Sequence, residues 1–110
     1  MSSSTATRDW HERIRDILEA IQEINGFILG MDRNAYLSDR KTVRAVELNL
    51  IVIGEAVTGI PSEVQRNHPE IPWSLMRGMR NRIVHAYHSV DEQLMWETIN
   101  DDLPPLSSRL

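Results

Sequence analysis

The chain predicts an all-α fold, an antiparallel bundle of four main helices with one short extra helix, and two observations carry that prediction. Apolar residues recur at steps of three and four through most of residues 8–103, the spacing that gathers them on one face of a 3.6-residue helix. No alternating strand pattern of useful length interrupts them, and there are no internal repeats. A length of 110 residues suits one domain with a real core. One Phe and two Tyr leave that core to Ile, Leu, Val and Met. The whole of 1–110 is read as a single domain, frayed at 1–7 and ending in a tail over 104–110.

The first helix is expected over 8–29, with Thr7 as its N-cap. Its stripe is Trp10, Ile14, Ile17, Leu18, Ile21, Ile24 and Ile28. Gly26 and Gly30 weaken its end, and 30–38 reads as a loop rich in polar residues. A second long helix runs over 39–57. Val43, Val46, Leu50, Ile53 and Val57 form its stripe, and Leu48, Ile51 and Val52 widen it, which makes this helix central. Gly59 and Pro61 stop it. Ser62 with Gln65 matches a capping box for a short helix to about 67. His68-Pro69 and Ile71-Pro72 mark a connection, because a residue before proline avoids the helical region. A third long helix spans 73–87. Ser89 with Glu92 gives a second capping box, opening a helix through Leu94, Met95, Ile99 and Leu103 that Pro104-Pro105 ends.

Composition removes several classes of function. With no cysteine there are no disulfides and no thiolate-held metals, as fits a reducing cytosol. The opening MSSSTATRDW lacks the basic start and apolar run of a secretory signal. The best apolar run, 48–53, contains Asn49 and is far too short to span a membrane. A soluble cytoplasmic protein with no membrane partner is expected. The net charge of −4 argues against nucleic acid until its distribution is read. Residues 1–39 carry −3, residues 40–88 carry +3 and residues 89–110 carry −4, so a basic middle sits on an acidic body. Eleven of the twelve basic residues are Arg, the cation suited to bidentate contacts with anions.

Within that basic middle, residues 80–87 read RNRIVHAY, with His88 following and Arg77 one helical turn before. A helix this polar is poor core material. Its residue types suit phosphate chemistry: arginine forks onto phosphate oxygens, histidine exchanges protons near neutral pH, and tyrosine offers a stacking face and a hydroxyl. At about 100° per residue, Arg80 and His85 stand roughly 140° apart on an ideal helix. Arg80 and Tyr87 fall almost on one line, while Asn81, His85 and His88 form a second. One straight helix therefore does not aim Arg80 and His85 at one phosphate. Either the helix is distorted locally or two copies of the chain share a cleft, and the second brings both lines together without strain.

An arginine, four residues, a histidine, one residue and a tyrosine, met here by Arg80, His85 and Tyr87, resemble the motif of the HepT-like toxins in the HEPN ribonuclease superfamily. The second helix, DRKTVRAVELNLIVIGEA over 39–56, is also similar to that family, above all at Ile53-Gly54-Glu55-Ala56. The element order agrees, and the resemblance covers residues 8–103. It implies a small all-helical homodimer whose motif helices meet to form a metal-independent RNA-cutting cleft, with no cofactor. It further implies the toxin of a type VII-like toxin–antitoxin system, neutralised by a minimal nucleotidyltransferase antitoxin that attaches AMP to the motif tyrosine, Tyr87.

On that resemblance His85 is the general base or acid at the ribose 2′-hydroxyl, and Arg80 holds the scissile phosphate and stabilises its extra charge. Asn81, Arg77, Arg82 and His88 support them or widen the RNA-binding patch. The bland alternatives are a surface histidine, an interhelical salt bridge for Arg80, a buried anchor for Tyr87 and solvated side chains for the rest. His85, His88 and Glu92 stand at steps of three and four, but Ser89 reads as a helix cap that breaks the line and no second ligand pair exists, so no metal site is expected. Trp10, Trp73 and Trp96 read as packing residues. Two functions follow: a ribonuclease toxin cutting single-stranded or looped RNA, transfer RNA being one candidate, or a non-catalytic helical module that binds RNA, nucleotide or a protein partner with the same patch.

Overall fold

The helix at the centre is the one whose apolar residues cover more than one face. In the computed structural model, which describes residues 9–86 and 91–110, it is α3 (Arg40–Thr58), preceded by α1 (Trp10–Phe27) and α2 (Arg33–Ser38). After it come α4 (Ser62–Asn67), α5 (Trp73–Ala86), α6 (Glu92–Glu97), a π-helical turn (Thr98–Asp102) and α7 (Leu103–Arg109). No strand occurs among the described residues. Helix α3 packs most extensively against α5 on one side and α1 on the other. It buries Val43, Val46, Leu50, Ile53, Ala56 and Val57 between them. The run from α6 through α7 supplies the fourth body of the bundle, with Met95, Ile99, Leu103 and Leu106 in the core. Among the described residues no helix is long and apolar enough to cross a membrane.

Helix α1 starts at Asp9, whose carboxylate accepts the His11 N–H at 3.0 Å. The Thr7 cap expected there lies outside the described residues. Ile17, Ala20, Ile21 and Ile24 form the buried face of α1 at steps of three and one. The expected loop over 30–38 is corrected: after Gly30, at φ 79°, Asp32 caps α2 by accepting the Ala35 N–H at 2.8 Å. Tyr36 then points fully into the core, its ring 5.0 Å from that of Trp96. Burial of a large aromatic makes helix of a stretch whose polar composition reads as loop.

Two capping expectations also change. Pro61 holds the N-cap position of α4, so Ser62 is already helical and makes no cap bond. The Gln65 amide reaches the other way and donates to the carbonyls of Val57 (3.1 Å) and Ile60 (3.0 Å), closing the end of α3. At α6 the cap is Asp91, accepting the Leu94 N–H at 3.0 Å. Ser89 lies outside the described residues.

The largest correction is at the C-terminus, where the tail expected over 104–110 is helical. Pro104 and Pro105 have no N–H for the carbonyls of Asn100 and Asp101, which would end an ordinary helix. The chain widens into the π turn instead, where the Leu103 N–H donates to the Thr98 carbonyl five residues back. The two prolines then occupy the opening of α7, where a missing N–H costs nothing. Leu103 and Leu106 anchor that helix in the buried core that also holds Leu50, Ile53, Met76 and Met79.

Candidate nuclease site

Helices α3 and α5 cross at Gly54. A Cβ at that position would lie 2.2 Å from the Cβ of Arg80, 2.8 Å from its Cγ and 3.0 Å from the Met76 carbonyl oxygen, so only glycine lets the helices come this close. The Arg80 stem fills the space over Gly54, and its head meets the next residue of α3. The Nε–H of Arg80 donates to the Glu55 carboxylate, and one terminal N–H donates to Asn81 Oδ1 at 2.9 Å. A guanidinium has five N–H donors, and among the described residues these contacts use two of them. The Arg80 side chain is 29% exposed, enough to present the others to a ligand.

His85 is exposed in the last turn of α5. No hydrogen bond or ion pair joins it to Arg80 among the described residues. Both motif residues lie on the one helix α5, five positions apart, with Arg80 turned onto Glu55 and Asn81. Asn81 and Arg82 are exposed beside them. Arg77 is placed differently from a free patch residue. One terminal nitrogen donates to Gln65 Oε1 at 2.8 Å and the other to Ser74 Oγ at 3.2 Å. Gln65 therefore links α3, α4 and α5, and Arg77 belongs partly to the frame. Its remaining surface borders an open groove of about 510 Å³ that Arg66, Ser62 and Ser74 also line. Tyr87 and His88 lie outside the described residues.

Glu92, the third member of the metal reading, has another role. Its carboxylate takes a bidentate pair from Arg40, at 2.7 and 2.9 Å, which ties α6 to the start of α3 and holds the acid below its usual range. Among the described residues no three His, Asp or Glu are grouped to hold a metal ion. Reading the sequence for chemistry misses Glu55, twenty-five positions from Arg80 and on another helix. Its only signal is its place in the Gly54-Glu55-Ala56 segment that carries the second-helix resemblance.

The family described as Ribonuclease HepT-like matches residues 17–110. A protein named as a probable ribonuclease HepT, from Thermococcus cleftensis, is 40% identical over 102 residues, 93% of each chain. Two candidate RNases of Methanocaldococcus jannaschii are 32% identical over 97 residues (88% of this chain, 80% of the relative) and 34% identical over 99 residues (90% and 82%). No solved structure matches the chain. With its all-helical bundle and its match over residues 17–110, the chain belongs to the HepT-like ribonuclease family.

Proposed function

We propose that this protein is a metal-independent endoribonuclease that cuts RNA by internal transesterification. In this reading His85 removes the ribose 2′-hydroxyl proton. The 2′ oxygen bonds to phosphorus, the bond to the 5′ oxygen breaks, and that oxygen takes a proton from the imidazolium of a second copy. Arg80 stabilises the charge that grows on the phosphoryl oxygens. The products are a 2′,3′-cyclic phosphate and a 5′-hydroxyl. The observation that carries the reading is the seating of Arg80: stem pinned over Gly54, Nε engaged, side chain partly exposed, in a chain of a ribonuclease family.

The homodimer belongs to the same proposal. Arg80 and His85 stand roughly 140° apart on an ideal helix, and the α5 surface carries exposed Asn81, Arg82 and His85 together with a Val84 that is 42% exposed. Two α5 helices facing each other would cover Val84 and bring Arg80 of each copy to His85 of the other. RNA is the substrate and the cytoplasm the site of action. A minimal nucleotidyltransferase antitoxin is the second protein partner, silencing the toxin by adding AMP to Tyr87. The added phosphate would compete with RNA for the Arg80 guanidinium.

The test incubates the protein with mixed-sequence single-stranded RNA in the presence of a chelator. Cleavage with cyclic phosphate ends is expected, with losses of about 10²-fold or more in Arg80→Ala and His85→Ala. Chelator-abolished activity, or full activity in His85→Ala, rejects the mechanism. RNA binding without cleavage by the wild type would favour the non-catalytic module. A monomer at micromolar concentration in sedimentation would reject the dimer. Intact-mass measurement after incubation with ATP and such a nucleotidyltransferase tests the modification, which Tyr87→Phe should escape.

A further inference from the structure

We propose that Glu55 is the positioning residue for Arg80, fixing the guanidinium by its Nε–H so that its two terminal nitrogens are presented to the RNA phosphate. This rests on the nuclease reading above and names a residue that reading does not use. The geometry comes from three contacts. Arg80 Cβ and Cγ lie over the bare backbone of Gly54, which removes freedom at the base of a long side chain. The Glu55 carboxylate, one residue further along α3, accepts the Nε–H. Asn81 Oδ1 accepts one N–H of a terminal nitrogen at 2.9 Å. Among the described residues three N–H groups remain of the five, all on the terminal nitrogens of a planar head whose orientation is now set. A fork held this way matches two phosphoryl oxygens at once, which a freely rotating guanidinium does only after losing its rotamer freedom.

Glu55 is also a negative charge next to a site for polyanions, and that gives the proposal an unusual signature. A carboxylate 49% exposed repels RNA as a whole, so removing its charge should leave RNA binding unchanged or tighter. Loss of positioning should nevertheless slow the chemical step. The expected pattern for Glu55→Gln is a kcat about ten- to a hundredfold lower with KM equal to or below that of the wild type. Glu55→Asp keeps the charge but is one methylene short, and should recover only part of the rate. A merely structural ion pair would move thermal stability and leave this split unseen.

The experiment measures kcat and KM on mixed-sequence single-stranded RNA for the wild type, Glu55→Gln, Glu55→Asp, Arg80→Lys and the Glu55→Gln/Arg80→Lys double variant. Affinity is measured in parallel on the same RNA carrying 2′-O-methyl groups, which cannot be cut, and folding is checked by helical circular dichroism. Lysine has no Nε–H fork, so Glu55→Gln should cost nothing further in the Arg80→Lys background. Equal losses in both backgrounds would overturn the proposal. So would a Glu55→Gln variant that cuts as fast as the wild type or faster, which would make Glu55 a competitor for Arg80. If Arg80→Ala and His85→Ala lose cleavage while Glu55→Gln does not, this inference alone fails. If the wild type cuts no RNA, the nuclease reading fails and takes this one with it.

Discussion

Gly54 shows how much one missing methyl can decide. Alanine there would drive its Cβ into the Cβ of Arg80 and against the Met76 carbonyl, neither of which is a flexible tip that could swing away. Overpacking of this kind costs about 1–3 kcal/mol, and we expect Gly54→Ala at or above the upper end, read as a lower urea midpoint. The helices must separate to admit the methyl, so cleavage should fall further than stability, with Arg80 displaced from Glu55. Gln65 makes a different point at the same scale. It closes two carbonyls at the end of α3 and accepts from Arg77. Gln65→Ala should cost about 1–2 kcal/mol, measured by chemical denaturation, through the Ile60 carbonyl and the Arg77 guanidinium that lose it as a partner. The Val57 carbonyl keeps the Ile60 N–H at 3.1 Å. The sequence makes Arg80 and His85 legible because both lie on one helix at a fixed spacing. It conceals Glu55 and the Gln65 link because each joins residues on different helices, and only packing reveals such pairs.

Among elements, α1, α3 and α5 could be read with boundaries close to those observed, because each hides one stripe at helical period. Helix α2 could not: its polar residues suit a loop equally well, and it exists because Tyr36 has a core to enter. The C-terminal element departs from the sequence expectation because the proline rule is local. Pro104-Pro105 does forbid ordinary helix bonding, but the π turn absorbs that defect and buried Leu103 and Leu106 supply a reason to continue. If that packing holds α7, Leu106→Ala should cost about 2–5 kcal/mol, as buried leucines do. A true tail would lose nothing. Thermal unfolding of the single variant separates the two.

At the scale of the whole molecule, the Arg40–Glu92 pair joins residues 52 positions apart and makes the fold sensitive to acid. The Arg40 hydrogen bonds hold the Glu92 carboxyl below its ordinary range. Its contribution is therefore complete above the unfolded carboxylate value, about 4.3, and is lost as pH falls through the lower folded value. The side chains are 54% and 26% exposed, so solvent screens the pair and it is worth about 1 kcal/mol or less. Denaturation midpoints measured from pH 6 down to pH 3 should fall more steeply for the wild type than for Glu92→Gln. A parallel decline would assign the acid sensitivity to other groups.

The π turn reaches beyond the shape of the last helix. Proline at 104 and 105 leaves the carbonyls of Asn100 and Asp101 without the donors that would stitch α6 to α7, so the backbone ladder is interrupted between them. Cooperative units in proteins tend to divide where such ladders are thin. Residues 103–109 are then free to detach as one piece while α1, α3 and α5 stay folded, and their amides should exchange with deuterated solvent earlier than those of the α3 core. The bundle would have a native state with a removable lid, opened by breaking the Leu103 and Leu106 packing and the Arg109 bond to the Glu70 carbonyl, and closed again without refolding the rest.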